Sequence, residues 1–415
     1  MTTSRRGLFA CACLGMLAFG IVLTTLGSVL PSIIERFGID KTQAGALFLL
    51  MTLGILAGSL VFGPMADRYG YKGILFFAAA LIIVGLEGIA FAPSLLLLHY
   101  AIVIIGFGGG IINGGTNALV ADISSGERGA NLNLLGVFFG VGAVGVPFVL
   151  ATFGARFSQT AIIAGVGALV AVPLAAIAIS QFPASKHPQG FPLAAAGGLL
   201  SDPLLLLMGI MLFLESGLEI TVGGWTSTFV NEELAVVAEK ALIILSLYWL
   251  GMMLARIALG SILKRTSHFA VLYSCLAIAL IGSALLLTTH DVTVAAIGVF
   301  LLGAGFAAMF PTMLGFIGDR YAALSGTAFS LVITMALIGG MLLPYTAGVL
   351  GGKYGMRGSF VIVPVALVAL GLLLGVLSRK LHRAQKRLAF RNSANTRRYR
   401  DLSAAFDSAG GRDDG

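Results

Sequence analysis

Continuous apolar runs, each long enough at roughly 20 residues to cross about 30 Å of hydrocarbon, recur along nearly the whole chain. No other feature restricts the fold so severely. Twelve are readable, near residues 8–33, 43–64, 73–92, 95–121, 132–154, 159–180, 203–230, 239–262, 269–288, 292–317, 325–350 and 358–378. Only 11% of residues are charged against 58% hydrophobic, a balance that excludes a water-soluble domain. Inside a bilayer every backbone polar group must be satisfied internally, which leaves helices or a closed barrel. Barrel strands alternate apolar and polar over about ten residues, whereas these runs are unbroken, so we expect an all-α membrane protein. The first run is too long for a signal-peptide core and no small-residue cleavage site follows it; it is expected to stay in the chain. LFAC at Leu8 to Cys11 has too short an apolar stretch before it to serve as a lipid-attachment signal.

Basic residues favour cytoplasmic loops. With the N-terminus inside, Arg5, Arg6, Arg68, Lys72, Arg128, Lys186, Lys264, Arg265 and Arg320 are cytosolic, while Arg36, Lys41, Arg156, Lys240, Lys353 and Arg357 lie outside. The segment after the last run adds Arg379, Lys380 and eight more basic residues. Both termini are therefore expected in the cytosol, in a multi-pass protein of the cell membrane. That tail, 379–415, also explains the net charge of +8. Because it starts at the bilayer surface, its partners are expected to be anionic lipids, at about 1 kcal/mol per basic residue, and not nucleic acid. Its polar end reads as disordered.

The chain reads as a duplication. An offset of 197 pairs Gly54 with Gly251, Gly63 with Gly260, Arg68 with Arg265, Gly85 with Gly282, Gly106 with Gly303, Gly108 with Gly305, Asp122 with Asp319, Gly129 with Gly326 and Pro147 with Pro344. The expected organisation is a six-helix bundle over 1–181, a proline-rich cytoplasmic linker over 182–202, a second bundle over 203–378, and the tail. Two homologous bundles can rock about a site near the midplane and open it to either side.

GPMADRYGYKG, Gly63 to Gly73, resembles the loop signature of the major facilitator superfamily. The resemblance implies two pseudo-symmetric six-helix bundles, alternating access and a monomer. It assigns a gating role to Gly63, Asp67, Arg68, Gly70 and Lys72. In physical terms Gly63 would permit close helix approach, Gly70 would supply a turn, and Asp67 would be a latch that accepts hydrogen bonds. GFGGGIINGGTNALVAD, NLLGVFFGVGAVGVP and ESGLEITVGGW are similar to the branch that carries fucose, glucose and galactose. Symporters of that branch typically have a carboxylate on the first or fourth helix, and this chain has none there.

Carboxylates do occur in the seventh run. From Asp202 at the membrane edge, a rise of about 1.5 Å per residue puts Glu215 some 18–20 Å deep, near the midplane, with Glu219 one turn further on the same face. An acid there costs roughly 2.5–3.5 kcal/mol on insertion scales. Protonating an ordinary Glu at pH 7 costs about 3.7 kcal/mol, so ionisation can follow solvent access. Glu215 and Glu219 are thus candidates for proton coupling and for contact with the solute, with Na⁺ as the other coupling ion or uncoupled transport as a further course. A permanent ion pair is the competing reading, with Arg256 of the eighth run as the cation, at about the height of Glu215; Arg256 is also a gating candidate. Glu87 is a lesser coupling candidate.

For a solute, Asn113 and Asn117 at i, i+4 offer donors and acceptors on one face, and Trp225 or Trp249 offers a flat wall. The plainer readings are interhelical hydrogen bonding for the asparagines and interfacial anchoring for Trp225. Thr24, Thr25, Asn133 and Tyr345 are weaker candidates. No metal-ligand spacing, nucleophile–base pair or phosphate loop has a sensible setting. GFGGGIING lies inside an apolar run with no strand before it. Neither an enzyme nor a cofactor is expected. The leading expectation is transport of a small polar solute, a hexose-type sugar, coupled to protons or sodium. The alternatives are export of amphipathic compounds or movement of an organic acid on the same fold, and a transporter-like receptor signalling through the tail.

Overall fold

The computed structural model describes residues 5–124, 128–182, 198–199, 201–263, 265–321 and 325–382. Among these described residues are twelve helices long and apolar enough to cross a membrane. They are span one (Arg5–Phe37), two (Lys41–Ala66), three (Tyr71–Phe91), four (Leu95–Ile123), five (Asn131–Phe153), six (Gln159–Ile179), seven (Pro203–Glu233), eight (Ala238–Ile262), nine (His268–Thr288), ten (Val292–Arg320), eleven (Thr327–Phe360) and twelve (Ile362–His382). Contacts divide the chain into two compact units, Met1–Leu370 and Gly371–Gly415; in the second, residues 371–382 are helical. The linker over 183–197 and the tail over 383–415 lie outside the described residues.

Local chemistry sets the ends. Asp40 accepts from the Gln43 amide at 2.7 Å while the Gln43 side chain accepts from the Asp40 amide at 3.0 Å, a reciprocal cap that starts span two. Asp202 caps span seven through the Leu204 amide at 2.7 Å, with Pro203 in the first turn, where a missing N–H costs nothing. Gly70 ends the second helix at φ 77°, a region that a side chain would strain. The sixth span is broken at Val170 and the tenth around Ala307–Ala308. At Gly355 (φ 76°) the eleventh span turns out of helical geometry.

The repeat is visible in packing. A Cβ at Gly54 would lie 2.5 Å from the Val103 carbonyl, and one at Gly106 would collide with Met51, so spans two and four touch backbone to backbone. Their counterparts 197 residues later, Gly251 and Gly303, press in the same way on Phe300 and Tyr248, joining spans eight and ten. Gly108 against Ala78 (2.8 Å) and Gly305 against Cys275 (2.7 Å) repeat the relationship for spans three with four and nine with ten. Small residues are what permit such approach between helices in lipid, where no hydrophobic force drives association.

The halves meet through spans one with seven, two with eleven and five with eight. On the side away from the linker, Gly27 backs onto Gly223 and Gly224, Gly45 onto Tyr345, and Lys41 pairs with Glu232 at 2.7 Å. Among the described residues, spans four and ten are not packed together in this way.

Candidate functional site

Span seven is helical without interruption through both acids. Glu215 is 0% exposed, and neither of its carboxylate oxygens has a hydrogen-bond partner. An anion in that setting would carry its full desolvation cost, so the position suits a protonated acid or a group awaiting a partner. Glu219, one turn on, keeps 13% of its side chain exposed and lies 3.9 Å from an Arg256 terminal nitrogen. A charge-assisted N–H···O bond is about 2.7–2.9 Å long, so this is a loose ion pair. Arg256 is 21% exposed and its Nε has no partner. Of the two acids, the Arg256 side chain meets Glu219; the sequence had placed it at the height of Glu215.

An aromatic wall adjoins the pair. The Arg256 guanidinium sits over the Phe139 ring at 5.7 Å, and Phe139 meets Trp249 edge-on at 6.0 Å and 78°. Tyr248 stands against Trp249 at 4.9 Å and donates its hydroxyl to the Glu219 backbone carbonyl at 3.2 Å. The Trp249 indole N–H is buried without an acceptor. Trp249 and Arg256 are seven residues apart, two turns on one face. Trp249, offered by the sequence alongside Trp225, thus stands against Phe139 and against Gly223 of span seven, one turn beyond Glu219. The signal was its spacing to Arg256.

Trp225 lies elsewhere. It is fully buried, donates to the Pro344 carbonyl at 3.0 Å and packs on Phe48, in the helix contacts of the side away from the linker. Asn113 and Asn117 are half-buried on span four; the Asn117 amide donates to the Asn113 carbonyl at 2.9 Å and to its side-chain oxygen at 3.1 Å. Both asparagines keep hydrogen-bonding capacity. Thr24 and Thr25 return their hydroxyls to their own helix. Asn133 is exposed, and Glu87 abuts Gly167 of span six. Tyr345 is half-buried, its backbone against Gly45.

In the loop signature, a Cβ at Gly63 would meet nothing within 4 Å. Close approach is therefore not what that glycine provides in this conformation. Gly70 does make the turn. Arg68 lies over Tyr69 at 5.2 Å, Lys72 is exposed, and Tyr71 donates to Asp122 at 2.7 Å. The Asp67 side chain lies outside the described residues. At the same membrane edge Tyr321 donates to Asp202 at 2.7 Å. Partial burial works against the Asp202 anion, but bonds from Tyr321 and Leu204 outweigh it and hold the carboxyl below its usual range. Burial and the same bond push Tyr321 up to about 12.

A cavity of about 180 Å³ opens on the side away from the linker, bordered by Ser28, Ser32, Gln159, Ser227, Asn231 and Glu239. Ser227 closes its floor by donating to the Gly27 carbonyl at 2.7 Å. Among the described residues no group of three or more His, Cys, Asp or Glu could hold a metal, and Cys11, Cys13 and Cys275 are buried free thiols.

The family model for the Major Facilitator Superfamily matches residues 12–333. The chain belongs to the major facilitator superfamily. It is 24% identical over 377 residues to the uncharacterized transporter y4wD of Sinorhizobium fredii, covering 88% of this chain and 97% of that one. It is 21% identical over 382 residues to the sodium-dependent glucose transporter 1A of Mus musculus, covering 81% and 88%. The crystal structure of a D-xylose–proton symporter superposes with a TM-score of 0.75 at 15% identity, over 90% of this chain and 97% of that one. This superfamily member is a membrane transporter of a solute and not an enzyme.

Proposed function

We propose that the protein is a proton-coupled secondary transporter of a small polar solute, working by alternating access between its two six-helix halves. The observation that carries the reading is Glu215. A completely buried acid with two unpartnered oxygens, one turn from a loosely paired Glu219, is costly as a fixed structural element and useful as a proton carrier. Glu219 exchanges between Arg256 and a proton as solvent and solute reach it. The described conformation, joined through spans one and seven away from the linker, corresponds to a transporter closed to the outside with both termini in the cytosol. The gating set Gly63, Asp67, Arg68, Gly70 and Lys72 belongs to the opposite, cytoplasmic face. The basic tail serves as a lipid contact.

Two cargoes fit this scaffold. A hexose-type sugar would use the spare capacity of Asn113 and Asn117, and similarity to a glucose transporter over most of the chain supports it. An organic acid is favoured by a different observation, the unpartnered N–H groups of Arg256 and Trp249. The test is accumulation of labelled glucose, xylose and benzoate in proteoliposomes under an imposed pH gradient or an imposed sodium gradient. Accumulation of one of them driven by pH alone is expected. Accumulation driven only by sodium would overturn the proton assignment.

A further inference from the structure

We infer that the cluster on spans five, seven and eight binds the carboxylate of a compact acid with a flat apolar body, Arg256 taking the carboxylate and Phe139 with Trp249 taking the body. The inference rests on the transport role proposed above and selects the second of its two cargoes.

The first argument is donor supply. A guanidinium has five N–H donors in a fixed fork that matches a carboxylate in two parallel bonds. Arg256 has Glu219 at 3.9 Å, beyond a good bond, and an unpartnered Nε. The indole N–H of Trp249 is a second unpartnered donor. Buried donors without acceptors are costly and are rare in settled structure. Glu215 keeps two free oxygens one turn from Glu219, but they do not reach these donors, and an incoming anion gives the donors an acceptor. A hexose hydroxyl could meet one such donor, but it does not match the guanidinium fork with two parallel bonds.

The second argument is shape. Phe139 stands between the two donors, its ring 5.7 Å from the guanidinium carbon and 6.0 Å from the Trp249 ring. Phe19 continues the wall at 5.7 Å from Phe139. All three rings are buried in this conformation, so a flat apolar body would pack edge-on or offset against them once the two halves part.

The third argument is charge. The ionisable groups facing Arg256 are Glu219 and Glu215 of span seven and Tyr248 of its own span; the stretch of span five that carries Phe139 has none. When a solute carboxylate replaces Glu219 at Arg256, Glu219 loses its counter-charge in a poorly solvated place and takes up a proton. One anion and one proton enter together, the charge of the cluster is unchanged, and the cycle moves no net charge. A neutral sugar carried with one proton would move one.

The experiment is calorimetric titration of the purified full-length protein with benzoate, phenylacetate, cyclohexanecarboxylate, benzamide and glucose. The acids are expected to bind saturably, benzoate and phenylacetate ahead of cyclohexanecarboxylate, with benzamide and glucose at least tenfold weaker. Arg256→Gln should weaken benzoate at least tenfold; Arg256→Lys, which keeps charge but not the fork, should fall between. Should Arg256→Gln not fold, Trp249→Phe serves, with a several-fold loss for benzoate. Binding of none of the acids, or benzoate affinity unchanged in these variants, would overturn the inference. In proteoliposomes, Arg256-dependent benzoate uptake without proton movement leaves this inference standing and removes the coupling role. Proton-driven glucose uptake without benzoate binding does the reverse.

Discussion

Ser227 and Gly27 are joined by a 2.7 Å hydrogen bond, hydroxyl to backbone carbonyl, between residues 200 positions apart. It lies where span seven crosses span one, and Gly27 has no room for a side chain: a Cβ there would be 2.6 Å from the Gly223 carbonyl and 2.9 Å from the Gly224 Cα. On the proposed alternating-access cycle the contact exists only while that side of the protein is closed, which makes it a handle on the conformational equilibrium.

Gly27→Val should therefore hold the protein open on the side away from the linker. Overpacking costs about 1–3 kcal/mol, enough to shift a two-state balance by roughly five- to 150-fold. With Cys11, Cys13 and Cys275 replaced and Ser28→Cys introduced in the cavity wall, where Ser28 is buried, labelling by an impermeant maleimide should rise at least several-fold in Gly27→Val, and uptake should fall. Unchanged labelling would show that the contact is not a gate.

Lys41 and Glu232 pair at 2.7 Å across the same side, with side chains 22% and 36% exposed. Exposed pairs of this kind contribute about 1 kcal/mol or less, so Lys41→Glu should leave thermal stability within about 1 kcal/mol while increasing Ser28→Cys labelling. The double exchange Lys41→Glu with Glu232→Lys should restore the original labelling, and high salt should reduce the difference.

The Asp202–Tyr321 bond, linking the start of span seven to the end of span ten at 2.7 Å, makes stability depend on pH at both extremes. Asp202 is held below its ordinary 3.8, so its contribution is present above that value and is lost as pH falls through the lowered one. Tyr321 is raised from 10.0 to about 12, so its contribution is complete below pH 10 and is lost as pH rises towards 12. Melting temperature in detergent should be level between these limits. Tyr321→Phe should lower the plateau by about 1 kcal/mol and flatten both arms; a profile identical to the parent would refute the linkage.

The length and continuity of the apolar runs dictate helices, and rare residues at a common offset, such as Pro147 with Pro344, make the duplication legible before any contact is seen. The depth of Glu215 follows from counting rise from Asp202. Side-chain direction is harder to read. Whether Arg256 meets Glu215 or Glu219 depends on helix rotation and crossing, which no spacing within one span determines. The same ignorance separates Trp225, whose indole is spent on Pro344, from Trp249, whose indole is free. The breaks near Val170 and Ala307 are equally silent, because their neighbours Val, Ala and Phe are ordinary apolar residues; only Pro173 and Pro311 nearby hint at them.

The most direct test of the account is solute-dependent proton movement, read with a pH-sensitive dye trapped in proteoliposomes, for the parent, Glu215→Gln and Glu219→Gln. The account predicts a proton signal on adding the transported solute to the parent, and its loss in at least one variant whose exchange of labelled solute against internal solute persists. A full proton signal in the Glu215→Gln, Glu219→Gln double variant would contradict it.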